Sequence, residues 1–291
     1  MKVHDKQKVA LVLSGGAARG LAHIGVIEEL EKRGYEITSI AGASMGSLIG
    51  GAYASGKMEE LKRYTYTLDK TKAFRLIDFT LSRDGLIKGD RVLNKMKKYV
   101  PEMLIEDLRL PYVAVAADLI RKEEVVYRSG SLYHAIRASI SVPTVFTPVK
   151  EEDRLLVDGG LLNNLPIDLV ERTEGDMLIA VHVNANIPPE KPLMTKEALK
   201  KRALHQAKIK EFYNHIHHSS STAKEKLGSI SLITKSFDMM TLHMSEEKLK
   251  HISPDVLINI SRESCLAYDF FRAEEMVELG RQSAIKVLDS I

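Results

Sequence analysis

A chain of 291 residues with 44% hydrophobic content can fill one large α/β domain or two small ones, and it reads as globular rather than disordered. Its 42 Lys and Arg against 39 Asp and Glu leave a formal charge of +3, which gives no general electrostatic case for nucleic acid. The one cysteine, Cys265, excludes an internal disulfide framework, no Cys/His set has zinc-ligand spacing, and no stretch approaches the roughly 18 uninterrupted apolar residues of a membrane span.

Val9 to Leu13 is an apolar run, too short for a signal-peptide core, that ends in Ser14-Gly15-Gly16 as a buried parallel strand meets a loop. After Gly20, the residues Leu21, Ile24, Ile27 and Leu30 recur at helical spacing until Gly34 stops the pattern. A second strand, roughly Ile37 to Ala41, leads into Gly42-Ala43-Ser44-Met45-Gly46 and a small-residue helix reaching Ser55-Gly56. The repeated strand, turn and helix predict a parallel sheet with crossover helices. From Lys57 to about Met103 a charged, helical rhythm predicts a helical layer, interrupted at Gly85 and Gly89 before a helix capped by Asp90. Strand-like segments return at Tyr112 to Ala117, Glu124 to Tyr127, Leu155 to Val157 and Met177 to Val183. Pro188 to Leu227 is rich in Lys and His. Ser229 to Thr234 and the strand candidate Asp255 to Ile260 then precede a last helix from about Phe270. Without repeats or a clean linker, a single domain over 1–291 is expected.

Three short patterns carry chemistry. Gly42-x-Ser44-x-Gly46 between a strand and a helix is the pattern that exposes a serine hydroxyl on a tight bend at a helix N-terminus, although small-residue turns also produce it by chance. Gly15-Gly16-Ala17-Ala18-Arg19-Gly20 opens a helix and can present backbone N–H groups to an anion. Either it holds a nucleotide phosphate, for which the glycine spacing is wrong, or it is an oxyanion hole with the N–H groups of Gly16 and Ala17 aimed at an intermediate on Ser44. Its position on the strand beside the elbow favours the second. Asp158-Gly159-Gly160 follows a strand directly, as a turn former would, but beside the other two patterns Asp158 becomes a base candidate. A carboxylate with a pKa near 4 is a weak base for a hydroxyl, so that role needs burial and close reach to Ser44.

Together with Ala138 to Pro148, these blocks resemble the signature of the patatin-like phospholipases, in the right order over roughly Val9 to Pro166; Tyr268 to Gly280 also resembles the C-terminal end of small bacterial members. The resemblance implies a three-layer α/β/α sandwich with a mainly parallel central sheet. It implies a Ser/Asp dyad without histidine that hydrolyses phospholipid, lysophospholipid or simple acyl esters with no metal or other cofactor. By matching position Ser44 is the nucleophile, Asp158 the base, and Gly15, Gly16, Ala17 and Arg19 build the oxyanion loop; Gly20, Gly42, Gly46, Gly159 and Gly160 support the motifs. Ala17 departs from the glycine many relatives carry there, and an alanine with ordinary dihedrals is expected to offer the same N–H.

Other candidates have plainer readings. His182, the member a Ser-His-Asp triad would need, lies in the alternation of an apolar strand and is expected to be packed and satisfied by one hydrogen bond. His23 reads as structural, Cys265 as packed, and His215, His217 and His218 as a polar helix face. The Lys-rich segment Lys196 to Lys210 reads as a solvated helix, with peripheral contact to an anionic membrane surface as the functional alternative. A lid is expected in Lys57 to Met103 or within 188–251. The expected setting is cytoplasmic, the expected partner a lipid ester substrate and not nucleic acid. A malonyl-type acyltransferase and a non-catalytic scaffold are the competing functions.

Overall fold

The computed structural model describes residues 6–72, 94–95, 97–98, 102–143, 145–194 and 229–291. The expected break at Gly85 and Gly89, the helix cap at Asp90, the basic segment Lys196 to Lys210 and the histidines His215, His217 and His218 lie outside those residues.

Among the described residues the core is an eight-stranded mixed sheet. Strands β1 (Lys8–Leu13), β2 (Glu36–Ala43), β3 (Tyr112–Asp118), β7 (Met177–Ala185) and β8 (Val256–Ser261) form a parallel block, with β1 paired to β2 and β7, β2 to β3, and β7 to β8. The antiparallel part comprises β4 (Glu123–Tyr127), β5 (Val149–Lys150) and β6 (Leu155–Asp158). A strand covered on both faces is apolar throughout, and Val9 to Leu13 of β1 are wholly buried. Leu11 and Leu13 face one layer, built from helices α1 (Ala22–Lys32), α2 (Met45–Ala54), α3 (Met58–Tyr66), α4 (Leu132–Ser139) and α6 (Ala273–Leu288). Ala10 and Val12 face the other, where Leu165, Ile167, Val170 and the C-terminal end of helix α5 (Ser229–His251) cover the sheet. Helices α1 and α6 cross with their backbones in contact. A Cβ on Gly25 would lie 2.7 Å from the Arg281 nitrogen, and one on Gly280 would lie 2.7 Å from the Ala22 carbonyl carbon.

Ser229 to Thr234, to which the sequence assigned no element, opens the long helix α5. The antiparallel strands also make the sheet more mixed than expected, and they matter for the site. Gly42 and Ala43 of β2 pair with Ala114 and Val115 of β3, while Tyr127 and Val126 of β4 pair with those same two residues from the opposite edge. Asp158 of β6 pairs with Ala116, whose other edge is taken by Val125. Strands β2 and β6 therefore share one edge of β3, run toward each other along it, and end at adjacent positions. Ser44 follows the last residue of β2, and Asp158 is the last residue of β6.

Candidate active site

Ser44 sits between β2 and α2 with φ 49° and ψ −121°, a conformation that L residues seldom adopt and that costs of order 1–3 kcal/mol. The turn closes this tightly because Gly42 lies against the backbone of Gly46, and Gly46 against the backbone of Leu13, with no side chain on either glycine. A Cβ on Gly42 would lie 2.5 Å from the carbonyl carbon of Gly46. Three hydrogen bonds hold the bend: the Ser44 N–H donates to Ser139 Oγ at 2.9 Å, and the Ser44 carbonyl accepts from Ser47 Oγ at 2.7 Å and from the Leu48 N–H at 3.2 Å. The serine is 7% exposed and stands at the positive end of α2, where developing negative charge on its oxygen is favoured.

Asp158 is buried. Its N–H donates to the Ser141 carbonyl at 2.9 Å, and its Oδ1 accepts the Gly160 N–H at 2.7 Å. Burial drives its carboxyl up to about 7, against the lowering influence of the Ser44 hydroxyl and the Gly160 N–H. Oδ2 meets no donor at full hydrogen-bonding geometry among the described residues, although the Ser44 hydroxyl is close enough to favour the charged carboxylate as a hydrogen-bond donor would. Such a loose pair tightens when substrate arrives. Both conditions for a carboxylate base, burial and proximity to Ser44, are present.

The loop after β1 shows which of its donors are free. Gly15 N–H bonds the Asn164 carbonyl, Ala18 N–H the Ala267 carbonyl and Arg19 N–H the Gly16 carbonyl. Among the described residues the N–H groups of Gly16 and Ala17 meet no acceptor, and both residues line the same cavity as Ser44 and Asp158. Ala17 does not have ordinary dihedrals. Its φ is 48°, in the left-handed region that favours glycine. The Arg19 side chain works on the loop from outside: Nε donates to Asn184 Oδ1 at 2.8 Å, Nη1 reaches the carbonyls of Arg262 at 3.3 Å and Cys265 at 3.4 Å, and Nη2 lies 3.9 Å from Asp238. Asn184 in turn donates to the Gly15 carbonyl at 2.7 Å. Sequence reasoning placed Arg19 in the loop but could not assign these partners; it named Ser139 only within the Ala138 to Pro148 block, without a role, and gave no part to Asn184 or Asn164.

A cavity of about 360 Å³ opens onto Gly16, Ala17, Ser44 and Asp158. Apart from these its walls are mainly apolar, with Leu48 and Ile49 from α2, Leu61 from α3, Ile140 and Val142 after α4, and Phe237, Phe270 and Phe271 from the C-terminal part of the chain. Both segments expected to hold a lid thus contribute walls, through α3 and α5. His182 is not among the lining residues. It is buried with neither ring nitrogen hydrogen-bonded among the described residues, contrary to the single bond expected, and burial holds its pKa down at about 4. His23 bonds the Ser14 carbonyl at 2.8 Å, and Cys265 is buried with its thiol pushed up to about 11, which leaves it unreactive.

The architecture is an α/β sandwich with a mixed sheet. VipD from Legionella pneumophila has a similar fold, with a TM-score of 0.51 at 15% identity, covering 98% of this chain and 67% of that one. The chain belongs to the patatin-like phospholipase family, whose family model matches residues 11–170. It is 31% identical over a 330-residue alignment to an uncharacterised NTE-family protein of Mycobacterium bovis, covering 97% of this chain and 92% of that protein. It is also 32% identical over 183 residues to patatin-like phospholipase domain-containing protein 6 of Mus musculus, covering 61% of this chain and 14% of the mouse protein. Among the described residues no helix is long and apolar enough to cross a membrane.

Proposed function

We propose that the protein is a serine acyl hydrolase that cleaves fatty-acyl esters of phospholipids, lysophospholipids or related lipids. The observation that carries this reading is an apolar cavity opening onto a strained serine, a buried carboxyl with a pKa of about 7, and two N–H groups without a protein acceptor. The acyl chain lies against the apolar walls. Ser44 Oγ attacks the ester carbonyl carbon while Asp158 takes the hydroxyl proton, and the tetrahedral oxyanion is received by the N–H groups of Gly16 and Ala17. Collapse expels the alcohol, which leaves with the proton from Asp158, and Ser44 remains acylated. Water then gives a proton to Asp158 and attacks the acyl carbonyl; collapse breaks the acyl–Oγ bond, the Asp158 proton returns to Ser44 Oγ, and the fatty acid is freed. The transferase alternative relies on a histidine partner, and His182, the histidine weighed for a Ser-His-Asp triad, does not line the cavity.

Acyl release from phospholipids, lysophospholipids and short-chain esters tests the proposal with the wild type, Ser44→Ala, Asp158→Asn and His182→Ala. Loss in the first two variants with activity kept in the third is expected. Absence of wild-type turnover on every ester would sink the hydrolase reading.

A further inference from the structure

The short segment after α4 touches both halves of the site. Ser139 Oγ accepts the Ser44 N–H at 2.9 Å, and two residues on the Ser141 carbonyl accepts the Asp158 N–H at 2.9 Å. Between these anchors the Ile140 side chain lines the cavity. The segment is itself fixed. Ser141 Oγ donates to the Arg137 carbonyl at 2.7 Å and accepts from the Arg137 guanidinium, which also holds the Thr147 carbonyl at 2.8 Å. Ser139 is wholly buried, so a Ser44 N–H deprived of its acceptor finds no water to replace it.

We infer that Ser139 is a positioning residue for the nucleophile, its hydroxyl locking the strained Ser44 backbone at a set distance from Asp158. Three features make the hydroxyl matter beyond its packing. Ser44 has a backbone conformation that an L residue leaves when released. The bond acts on the nucleophile's own amide rather than on a neighbour. The same segment also fixes the base, so a change at Ser139 shifts one partner relative to the other. No local periodicity announces this contact, which joins residues 95 positions apart.

The inference rests on Ser44 acting as the nucleophile, and the test separates the two claims. Ser139→Ala removes the acceptor, while Ser139→Cys keeps nearly the volume but offers only a weak one. Both variants and the wild type are compared by kcat and KM on a soluble short-chain ester, by the rate at which an alkyl fluorophosphonate labels Ser44, and by amide hydrogen exchange across Gly42 to Met45. In both variants kcat and labelling rate are expected to fall about tenfold to a hundredfold with KM within about twofold, because sub-ångström misplacement costs rate more than binding. Exchange at the elbow accelerates in step, and the pH of half-maximal rate stays near that of the wild type. Full activity in Ser139→Cys would show a packing role only and overturn the inference, as would Ser139→Ala keeping kcat within about twofold. A wild type that does not label with the fluorophosphonate refutes the hydrolase reading, while hydrogen exchange still reports whether Ser139 holds the elbow.

Discussion

The elbow and the loop after β1 both place a non-glycine residue at positive φ, Ser44 at 49° and Ala17 at 48°, yet they hold it by different means. The elbow is gripped at the strained residue itself, whose N–H and carbonyl are both bonded, one of them to a side chain from another helix. The loop leaves the Ala17 N–H free and is gripped around it, through the Ala18 N–H on Ala267 and the Arg19 and Asn184 side chains. Under the proposed function, the difference follows from the work each must do. A nucleophile needs its backbone locked, whereas a donor to an oxyanion must keep its hydrogen unspent until the charge forms.

The largest effects fall on the dyad. Ser44→Ala and Asp158→Asn should each lower kcat about a thousandfold or more, measured by acyl release. With the Asp158 carboxyl at about 7, kcat/KM of the wild type should rise with pH to a half-maximum near pH 7 and then level off. The same shift has a sign for stability. The folded state binds this proton more tightly than the unfolded state, whose carboxyl titrates near 4, so the stability present below about pH 4 is lost as pH rises through 7. Thermal melting of Asp158→Asn against wild type should therefore show its greatest relative gain above pH 7.

An intermediate effect is expected where the loop is clamped. Arg19→Gln withdraws the guanidinium from two carbonyls and from Asn184, and should lower kcat about tenfold to a hundredfold through a loosened oxyanion hole. Its melting temperature should fall as well, because buried acceptors lose a charged donor. Unchanged kcat in a destabilised Arg19→Gln would break the comparison by making the clamp purely structural.

The smallest effect sharpens the contrast. Ala17→Gly relieves about 1–2 kcal/mol of left-handed strain and costs about 0.5–1 kcal/mol in unfolded-chain entropy. A melting temperature a few degrees higher, with kcat within about threefold, is expected. If the hole instead needs the rigidity of alanine, kcat will drop while stability rises.

Much of this was legible in sequence because the informative residues act locally. Apolar runs gave β1, β2, β3 and β7 to within a residue or two, and glycines at fixed offsets gave the elbow and the aspartate turn, since the bends need them. The hidden parts depend on partners far along the chain. The role of Arg19 is written in carbonyls of residues 262 and 265, and that of Ser139 in the amide of Ser44. Helix α5 falls within the 188–251 stretch expected to hold a helical lid or insert, but its bounds had no clear local signal, because Ser229 to Thr234 mixes β-branched and polar residues without a helical stripe. The antiparallel direction of β6 has no local signature at all, although it brings the aspartate to the serine.

The head-on meeting of β2 and β6 along β3 makes the site a coincidence of separately folded pieces. A nascent chain that has closed only its first two strands carries Ser44 but neither the Ser139 hydroxyl that holds its backbone nor a base, and the base arrives only when β6 has docked in register. The oxyanion loop waits longer still, for the backbone of residues 262–267. Hydrolytic competence on this reading is gained last, after the parts of the chain most separated in sequence have met, so a half-made chain would carry the nucleophile without the means to attack a lipid.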